Sequence, residues 1–445
     1  MLTPGEFSYV DSTLACEAVE LPAIAEAHGT PAYVYSRQAI LSRFREYENA
    51  LAGLAHRICF SVKANSNLAV LRTLALEGAG FDIVSGGELY RVLAAGGQAN
   101  SIVFSGVGKT ETEIRFALQK GIDSFNCECE AEIELISRLA TSLRRTASIA
   151  IRVNPDVDPA THPYISTGLR EHKFGIDIGL AEYIYRLAAS LPGISCNGVS
   201  CHIGSQIIDL EPLLETADKA IALVQKLRVQ GHQIRNLDLG GGLGIAYRST
   251  DRAASVSVFI ERLRGKLDGL DLTLMLEPGR SIVAEAGILL TRVLLVKQNG
   301  QKTFVVVDAA MNDLIRPALY HAYHEIVPVK QVSGSELITA DVVGPICETG
   351  DFLAQGRKLP SLKSGDLLAI LTAGAYGFVI ASNYNSRPRP CELLVDGSQV
   401  CLARKRETYA DLVRGEYRAA GNEPAMLDTE LGHERLSCNL CSGSS

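Results

Sequence analysis

The sequence predicts an α/β fold: a (β/α)8 TIM-type barrel over residues 38–285, followed by a C-terminal β-rich domain over residues 286–421. Three observations carry this reading. In the first region eight short apolar runs alternate with amphipathic stretches; in the second the helical period fades; and the apolar runs of the first end on polar residues or glycine. A doubly wound parallel sheet is the alternative arrangement of the same alternation.

Taken in order, residues 1–37 contain one β-like run, Ala32–Tyr35, read as a strand added to the β-rich domain. The barrel strands are expected at Ile58–Val62, Phe81–Val84, Ile102–Phe104, Ser124–Asn126, Ala147–Val153, Gly198–His202, Ile234–Leu239 and Leu272–Leu276. Between them Glu111–Lys120, Glu130–Ala140 and Pro212–Val229 place apolar residues at helical spacing. Beyond residue 286, Ile288–Lys297, Thr303–Val307, Asp341–Val343 and Leu367–Leu371 are β-like and broken by Gly, Pro and Asp turns. Residues 422–445 carry no periodic apolar pattern and are expected to form a mobile tail.

Composition narrows the function classes. The 445 residues are 47% hydrophobic and 21% charged, ordinary for a soluble protein. A net charge of −7 argues against nucleic acid or an anionic membrane as main partner. No apolar stretch approaches the roughly 18 residues of a membrane helix. The segment Met1–Phe7 lacks a basic, then apolar, leader, so a cytoplasmic location is expected. The 11 cysteines, an odd number without a regular framework, read as reduced thiols. Cys438-Asn-Leu-Cys441 lacks two further ligands at recognisable spacing, and no metal is expected.

Candidate site residues gather at the strand ends, where barrels of this kind place their chemistry. Lys63 follows an apolar run; burial disfavours an ammonium, which makes it a candidate amine for a Schiff base, against the alternative of a solvated lysine. Asp82, Ser105, Asn154, His202, Gly240 and Glu277 occupy equivalent positions. Gly240-Gly241-Gly242-Leu243-Gly244 can converge backbone N–H groups on a phosphate, or form a plain tight turn; Ser205 could add a hydroxyl. Ile245 stands where a dinucleotide fingerprint needs glycine. Glu277-Pro278-Gly279-Arg280 closes the eighth strand and offers either a functional carboxylate or a surface salt bridge. His202 can stack on a flat ring or fill the barrel mouth. Gly106-Val-Gly-Lys109-Thr110 imitates the end of a P-loop, but Val103 replaces its first glycine.

With Lys63, His202-Ile-Gly-Ser-Gln206, the 240–244 glycines and Glu277–Arg280 in this order, the chain resembles the pyridoxal phosphate (PLP) decarboxylases of the alanine racemase-like barrel fold. Further stretches narrow the resemblance to the diaminopimelate decarboxylase family, from about residue 20 to 420. They are Arg152-Val-Asn-Pro-Asp156, Thr161-His-Pro-Tyr-Ile-Ser-Thr-Gly168, Ile315-Arg-Pro-Ala-Leu-Tyr320, Cys347-Glu-Thr-Gly-Asp351, Gly374-Ala-Tyr-Gly377 and Ala381-Ser-Asn-Tyr-Asn-Ser386.

The resemblance implies a homodimer with shared active sites that converts meso-2,6-diaminopimelate to L-lysine and CO2, the last step of lysine biosynthesis. It implies that Lys63 bears PLP, that Glu277 keeps the pyridine nitrogen protonated, and that Asp82 and His202 also face the cofactor. Gly240, Gly241, Gly242, Gly279, Ser205, Arg280 and Tyr376 match phosphate-side positions. Arg280, Arg316, Tyr320, Glu348 and Tyr376 match substrate-binding positions, and Cys347 matches a proton donor supplied by the neighbouring subunit. An arginine such as Arg316 can grip a distal carboxylate that ornithine lacks; a surface charge beside a proline is its alternative. Same-fold decarboxylases of ornithine-like or acylated substrates, and a catalytically silent regulatory homologue, are the competing readings. Retained Lys63, Cys347 and Glu277 weigh against the last. Ser200 stands where relatives often carry a second histidine, and the tail has no counterpart.

Overall fold

The computed structural model describes residues 6–158, 173–331 and 334–417. The Thr161–Gly168 stretch, the expected tail and the Cys438/Cys441 pair lie outside the described residues.

Eight parallel strands run in chain order around a barrel: His56–Ser61, Gly80–Ile83, Ile102–Phe104, Ser124–Cys127, Ala147–Asn154, Ile194–Ser200, Asn236–Asp238 and Thr273–Leu276. The last pairs with the first, Leu274 opposite His56, so the sheet closes and the doubly wound alternative falls away. Successive side chains of a strand point to opposite faces. Ile58 and Phe60 therefore join the large core under the helices, while Cys59 meets Val103 and Met275 in a separate cluster. Two residues further on, each of these three strands reaches a polar residue of the same inward set: Ser61, Ser105 and Glu277. The inside of the barrel thus changes from apolar to polar toward the C-terminal strand ends.

The helices obey local rules. Glu111–Lys120 begins with a capping box between Thr110 and Glu113 and stops at Gly121, whose φ of 72° is left-handed. Glu130–Ser142 and Glu211–Val229 extend the expected helices slightly.

After the barrel the long strand Gly287–Asn299 organises a second sheet. It pairs antiparallel with Lys302–Val307, Leu367–Ile370 and Ala32–Ser36. Ala32–Ser36 also pairs in parallel with Cys391–Asp396. A strand from before the barrel is therefore hydrogen-bonded on both sides to strands from after it. Leu14, Leu21, Val34, Ile288, Leu290 and Leu393 share a core distinct from the barrel's.

The P-loop mimic has a structural explanation. Lys109 is buried, and its ammonium donates to the Gly106 and Asn126 carbonyls at 2.8 Å each and to Glu132 Oε1 at 2.6 Å. All three of its donors are used inside the protein. Removing one partner of a buried pair strands the other, at a cost of about 3–5 kcal/mol. Lys109→Met should lower unfolding stability in urea by that order, and adding Glu132→Gln should recover part of it. A single variant as stable as the parent would contradict the arrangement.

Candidate active site

The polar layer inside the barrel forms the floor of the site. Asp82, Asp238 and Glu277 are all buried there. Ser61 Oγ donates to Asp82 Oδ2 at 2.8 Å, Asn126 Nδ2 to Asp238 Oδ2 at 2.8 Å, and Ser105 Oγ to Glu277 Oε1 at 3.2 Å. Burial, then the charges of Asp238 and Asp82, push the Glu277 carboxyl well above the usual carboxylate range, against the pull of Lys63. Burial raises Asp238 as well.

Lys63 occupies the short turn Val62–Ala64 at the end of the first barrel strand, half-buried, with Nζ 2.5 Å from Asp82 Oδ2. Burial pulls its ammonium down, but Asp82, Glu277 and Tyr376 together outweigh burial and lift it above the ordinary lysine value. This corrects the expectation that desolvation would govern Lys63: its carboxylate neighbours govern it. His202 behaves oppositely. Burial, then the charges of Arg152 and Lys63, hold its imidazole well below its ordinary range. Its Nδ1 accepts from Gly241 N at 3.3 Å, and Arg152, paired with Glu128 at 2.8 Å, reaches the His202 carbonyl at 3.4 Å.

Three strand-end segments meet backbone to backbone beside Lys63. A Cβ on Gly241 would collide with the Glu277 carbonyl, and one on Gly242 with the Gly204 carbonyl. One on Gly279 would lie 2.9 Å from Ala64 Cβ. Gly240 and Gly242 also have φ of 65° and 103°, a region side chains resist.

Above the floor sit two arginines. Arg280 donates from Nη1 to Tyr247 Oη at 2.7 Å and from Nη2 to Ser205 Oγ at 3.0 Å, with its guanidinium 4.8 Å over the Tyr376 ring. Arg280 Nε is buried without a partner among the described residues. Arg316 opens the short helix Arg316–Tyr320 and donates from Nη1 to His324 Nε2 at 2.8 Å, its guanidinium 4.8 Å from the Tyr247 ring. The two arginines are only 7% and 6% exposed, and among the described residues neither is paired with a carboxylate. Burial pushes the Tyr247 phenol up, and the two guanidiniums more than reverse it.

A cavity of about 460 Å³ joins these groups. Lys63, His202, Ser205, Gly242, Glu277, Gly279, Arg280, Arg316, Tyr320 and Tyr376 line it. Asp82 touches it through Lys63, while Gly240 and Gly241 form the backbone behind it. Cys347 and Glu348 do not line it; both are exposed elsewhere on this chain. Their loop is nonetheless ordered, since Cys347 N donates to Asn385 Oδ1 at 2.7 Å and Tyr384 Oη to Glu348 Oε2 at 2.7 Å. Sequence reasoning missed Tyr247, His324 and Asp238. Tyr247 and Asp238 flank the glycine run closely, and that proximity was the available signal.

Comparisons with known proteins identify the family. A family profile described as pyridoxal-dependent decarboxylase, pyridoxal binding domain, matches residues 37–284. Diaminopimelate decarboxylase of Pseudomonas aeruginosa is 55% identical over 410 residues, 92% of this chain and 98% of that one. The chain belongs to the diaminopimelate decarboxylase family. Two structures of the family with L-lysine superpose well. The Helicobacter pylori enzyme has a TM-score of 0.85 at 43% identity, covering 89% of this chain and 98% of its own. The M. jannaschii enzyme has a TM-score of 0.89 at 38% identity, covering 94% and 99%. As in its family, the cofactor is pyridoxal phosphate, and the residues fit it: a buried acid at the floor, an amine, glycines admitting close backbone approach, and guanidiniums lacking an acid. Among the described residues no helix is long and apolar enough to cross a membrane, and no cluster of His, Cys, Asp and Glu could hold a metal ion.

His324 gives the site a measurable pH signature. Burial first, and the Arg316 charge second, pull its imidazole down to about 3, against a hydrogen bond to the Leu371 carbonyl that favours protonation. The unfolded chain protonates this group near its ordinary 6.5. Between these values the unfolded state binds more protons, so stability is complete above pH 6.5 and is lost as pH falls toward 3. The slope from this group is about 1.4 kcal/mol per pH unit. His324→Gln should flatten the pH dependence of the urea midpoint below pH 6.5; curves parallel to the parent's would show that His324 is not depressed.

Proposed function

We propose that this cavity decarboxylates meso-2,6-diaminopimelate to L-lysine and CO2, with a second copy of the chain completing the site. The observation that carries the reading is the pair of buried arginines without acids, Arg280 and Arg316, on either side of Tyr247. One suits the cofactor phosphate and the other the carboxylate at the unreactive end of the substrate. Ornithine has no such carboxylate and would leave Arg316 desolvated and unmatched.

Pyridoxal phosphate, when bound, supplies an aldehyde for an amine and a ring that accepts the electron pair left behind by CO2. The chain supplies the rest. Lys63 provides the amine that holds the cofactor, and Asp82, already in contact with it, accepts its proton or balances its charge. Glu277, on the floor, would hold a proton at the ring nitrogen. His202, held neutral, would offer a flat face to the ring. The 240–242 glycines, Gly279, Ser205, Arg280 and Tyr376 enclose the phosphate, while Arg316 and Tyr320 orient the distal carboxylate. From a second copy, Glu348 accepts from the distal ammonium and the Cys347 thiol gives a proton to the carbon that lost CO2. The exposure of both residues on an ordered loop supports that transfer between copies. On this reading residues 38–285 bind the cofactor, 286–421, joined by the N-terminal segment 1–37, carry substrate and proton-donor residues, and the homodimer works in the cytoplasm.

The purified chain with PLP should release CO2 and L-lysine from meso-diaminopimelate; faster turnover of ornithine would replace the substrate. Arg316→Ala should raise KM for diaminopimelate by at least tenfold with cofactor affinity little changed, since a desolvated charge-assisted contact is worth about 2–4 kcal/mol. An unchanged KM would remove Arg316 from the site. Mixing Lys63→Ala with Cys347→Ala chains should regain activity that neither has alone, because one mixed site is intact. Absence of rescue would rule out sharing.

A further inference from the structure

A long arginine side chain is normally fixed by an acid. Arg316, buried among the described residues without one, is fixed by two neutral groups. His324 is fully buried, and its Nδ1 lies 2.9 Å from the Leu371 carbonyl. A carbonyl only accepts, so Nδ1 carries the proton and Nε2 presents its lone pair to Arg316 Nη1 at 2.8 Å. On another side lies the Tyr247 ring, 4.8 Å from the guanidinium, and that ring meets His324 edge-on with centroids 5.5 Å apart. Tyr247 is itself held, because its hydroxyl accepts from Arg280 Nη1 at 2.7 Å. Arg357 donates to the His324 backbone carbonyl at 2.9 Å.

We propose that Tyr247 and His324 are positioning residues that hold Arg316 without neutralising it, and so set the preference for a substrate with a distal carboxylate. This rests on the reading of Arg316 given above. An acidic clamp would fix the guanidinium as firmly but would compete with the ligand for its charge. A neutral imidazole acceptor and an aromatic face supply direction and leave the charge available. The clamp spans the molecule's two parts. Tyr247 belongs to the loop after the seventh barrel strand, and His324 lies between the Arg316–Tyr320 helix and the strand Ile326–Pro328. Through Tyr247, the arginine assigned to the phosphate also fixes the orientation of the one assigned to the distal carboxylate.

L-Lysine, which keeps the distal carboxylate, is the probe, titrated into PLP-loaded enzyme and followed by cofactor absorbance. PLP affinity of the apoenzyme is the second readout. His324→Leu should weaken L-lysine binding about tenfold, a shift of about 1.4 kcal/mol, and leave PLP affinity within about twofold. His324→Gln, whose amide oxygen can accept from Arg316, should restore most of the loss. In an Arg316→Ala background His324→Leu should add nothing, because a residue acting through Arg316 has no effect once Arg316 is gone. Unchanged L-lysine affinity in His324→Leu, an equal loss in the Arg316→Ala background, or a matching loss of PLP affinity would each overturn the clamp. Should His324→Leu not fold, Tyr247→Leu enters the same L-lysine cycle with Arg316→Ala, weakening binding alone and adding nothing in that background; because its hydroxyl also accepts from Arg280, PLP affinity is no criterion for this variant. If Arg316→Ala itself binds L-lysine normally, the distal-carboxylate reading fails first, and the two failures are told apart.

Discussion

The site depends on one contact between the barrel and the β-rich part of the chain. The loop Gly374–Gly377 lies so close to the barrel that a Cβ on Gly374 would overlap the Val283 carbonyl. Asn65 Nδ2 donates to the Gly374 carbonyl at 2.9 Å, and Tyr376 N donates to the Ala64 carbonyl at 2.8 Å. Ala64 and Asn65 are the two residues after Lys63, so the same turn that presents the amine also seats the loop that brings Tyr376 over Arg280. Tyr376 adopts a φ of 54°, uncommon for a residue with a side chain. The backbone there is over-determined by its docking, and the ring position follows.

Around that contact the charges are segregated. Carboxyl groups occupy the floor inside the barrel, guanidiniums the opposite wall, and Lys63 stands between them beside Asp82. A low-dielectric interior makes each unpaired charge costly, which is why every carboxyl of the floor is given a serine, asparagine or lysine partner. The arginines are treated differently: their protein partners are hydroxyls, an imidazole and aromatic faces. A group that the protein keeps desolvated but not neutralised is poised for an anion from outside.

The barrel was legible because its strands end abruptly. Apolar runs such as Ile58–Val62 and Leu272–Leu276 stop at Lys63 and Glu277, and closure follows from parallel pairing between neighbours. Glycines and the Glu277–Arg280 run pointed to the cradle for the same local reason. Other features depend on packing between distant segments and leave little trace in a single stretch. Tyr247 looks like any aromatic after a glycine loop until Arg280 and Arg316 close on it from two directions. His324 reads as a lone histidine, and only the Leu371 carbonyl fixes which nitrogen faces Arg316. The charge state of Lys63 is not legible in the sequence, because burial shows in sequence context whereas Asp82 at hydrogen-bond distance is a fact of register between adjacent strands, Ser61 opposite Asp82.

On the proposed reading, one chain alone makes an incomplete site for a substrate with two ammonium groups. Of the acids that line the cavity, Glu277 lies at the floor and Asp251 accepts through Oδ2 from the Tyr247 and Arg248 backbone N–H groups at 3.0 and 2.9 Å, while Arg280 and Arg316 present cationic groups to the same space. Arg280 and Arg316 would attract a distal carboxylate and repel the ammonium beside it. Glu348 is a carboxylate the chain holds out on its surface, next to Cys347 and braced by Tyr384 and Asn385. Neither residue lines the cavity that this chain encloses. On the proposed reading they serve another copy's, so electrostatic balance at the distal end and protonation at the reacting carbon both arrive through one loop, and association becomes a condition of catalysis.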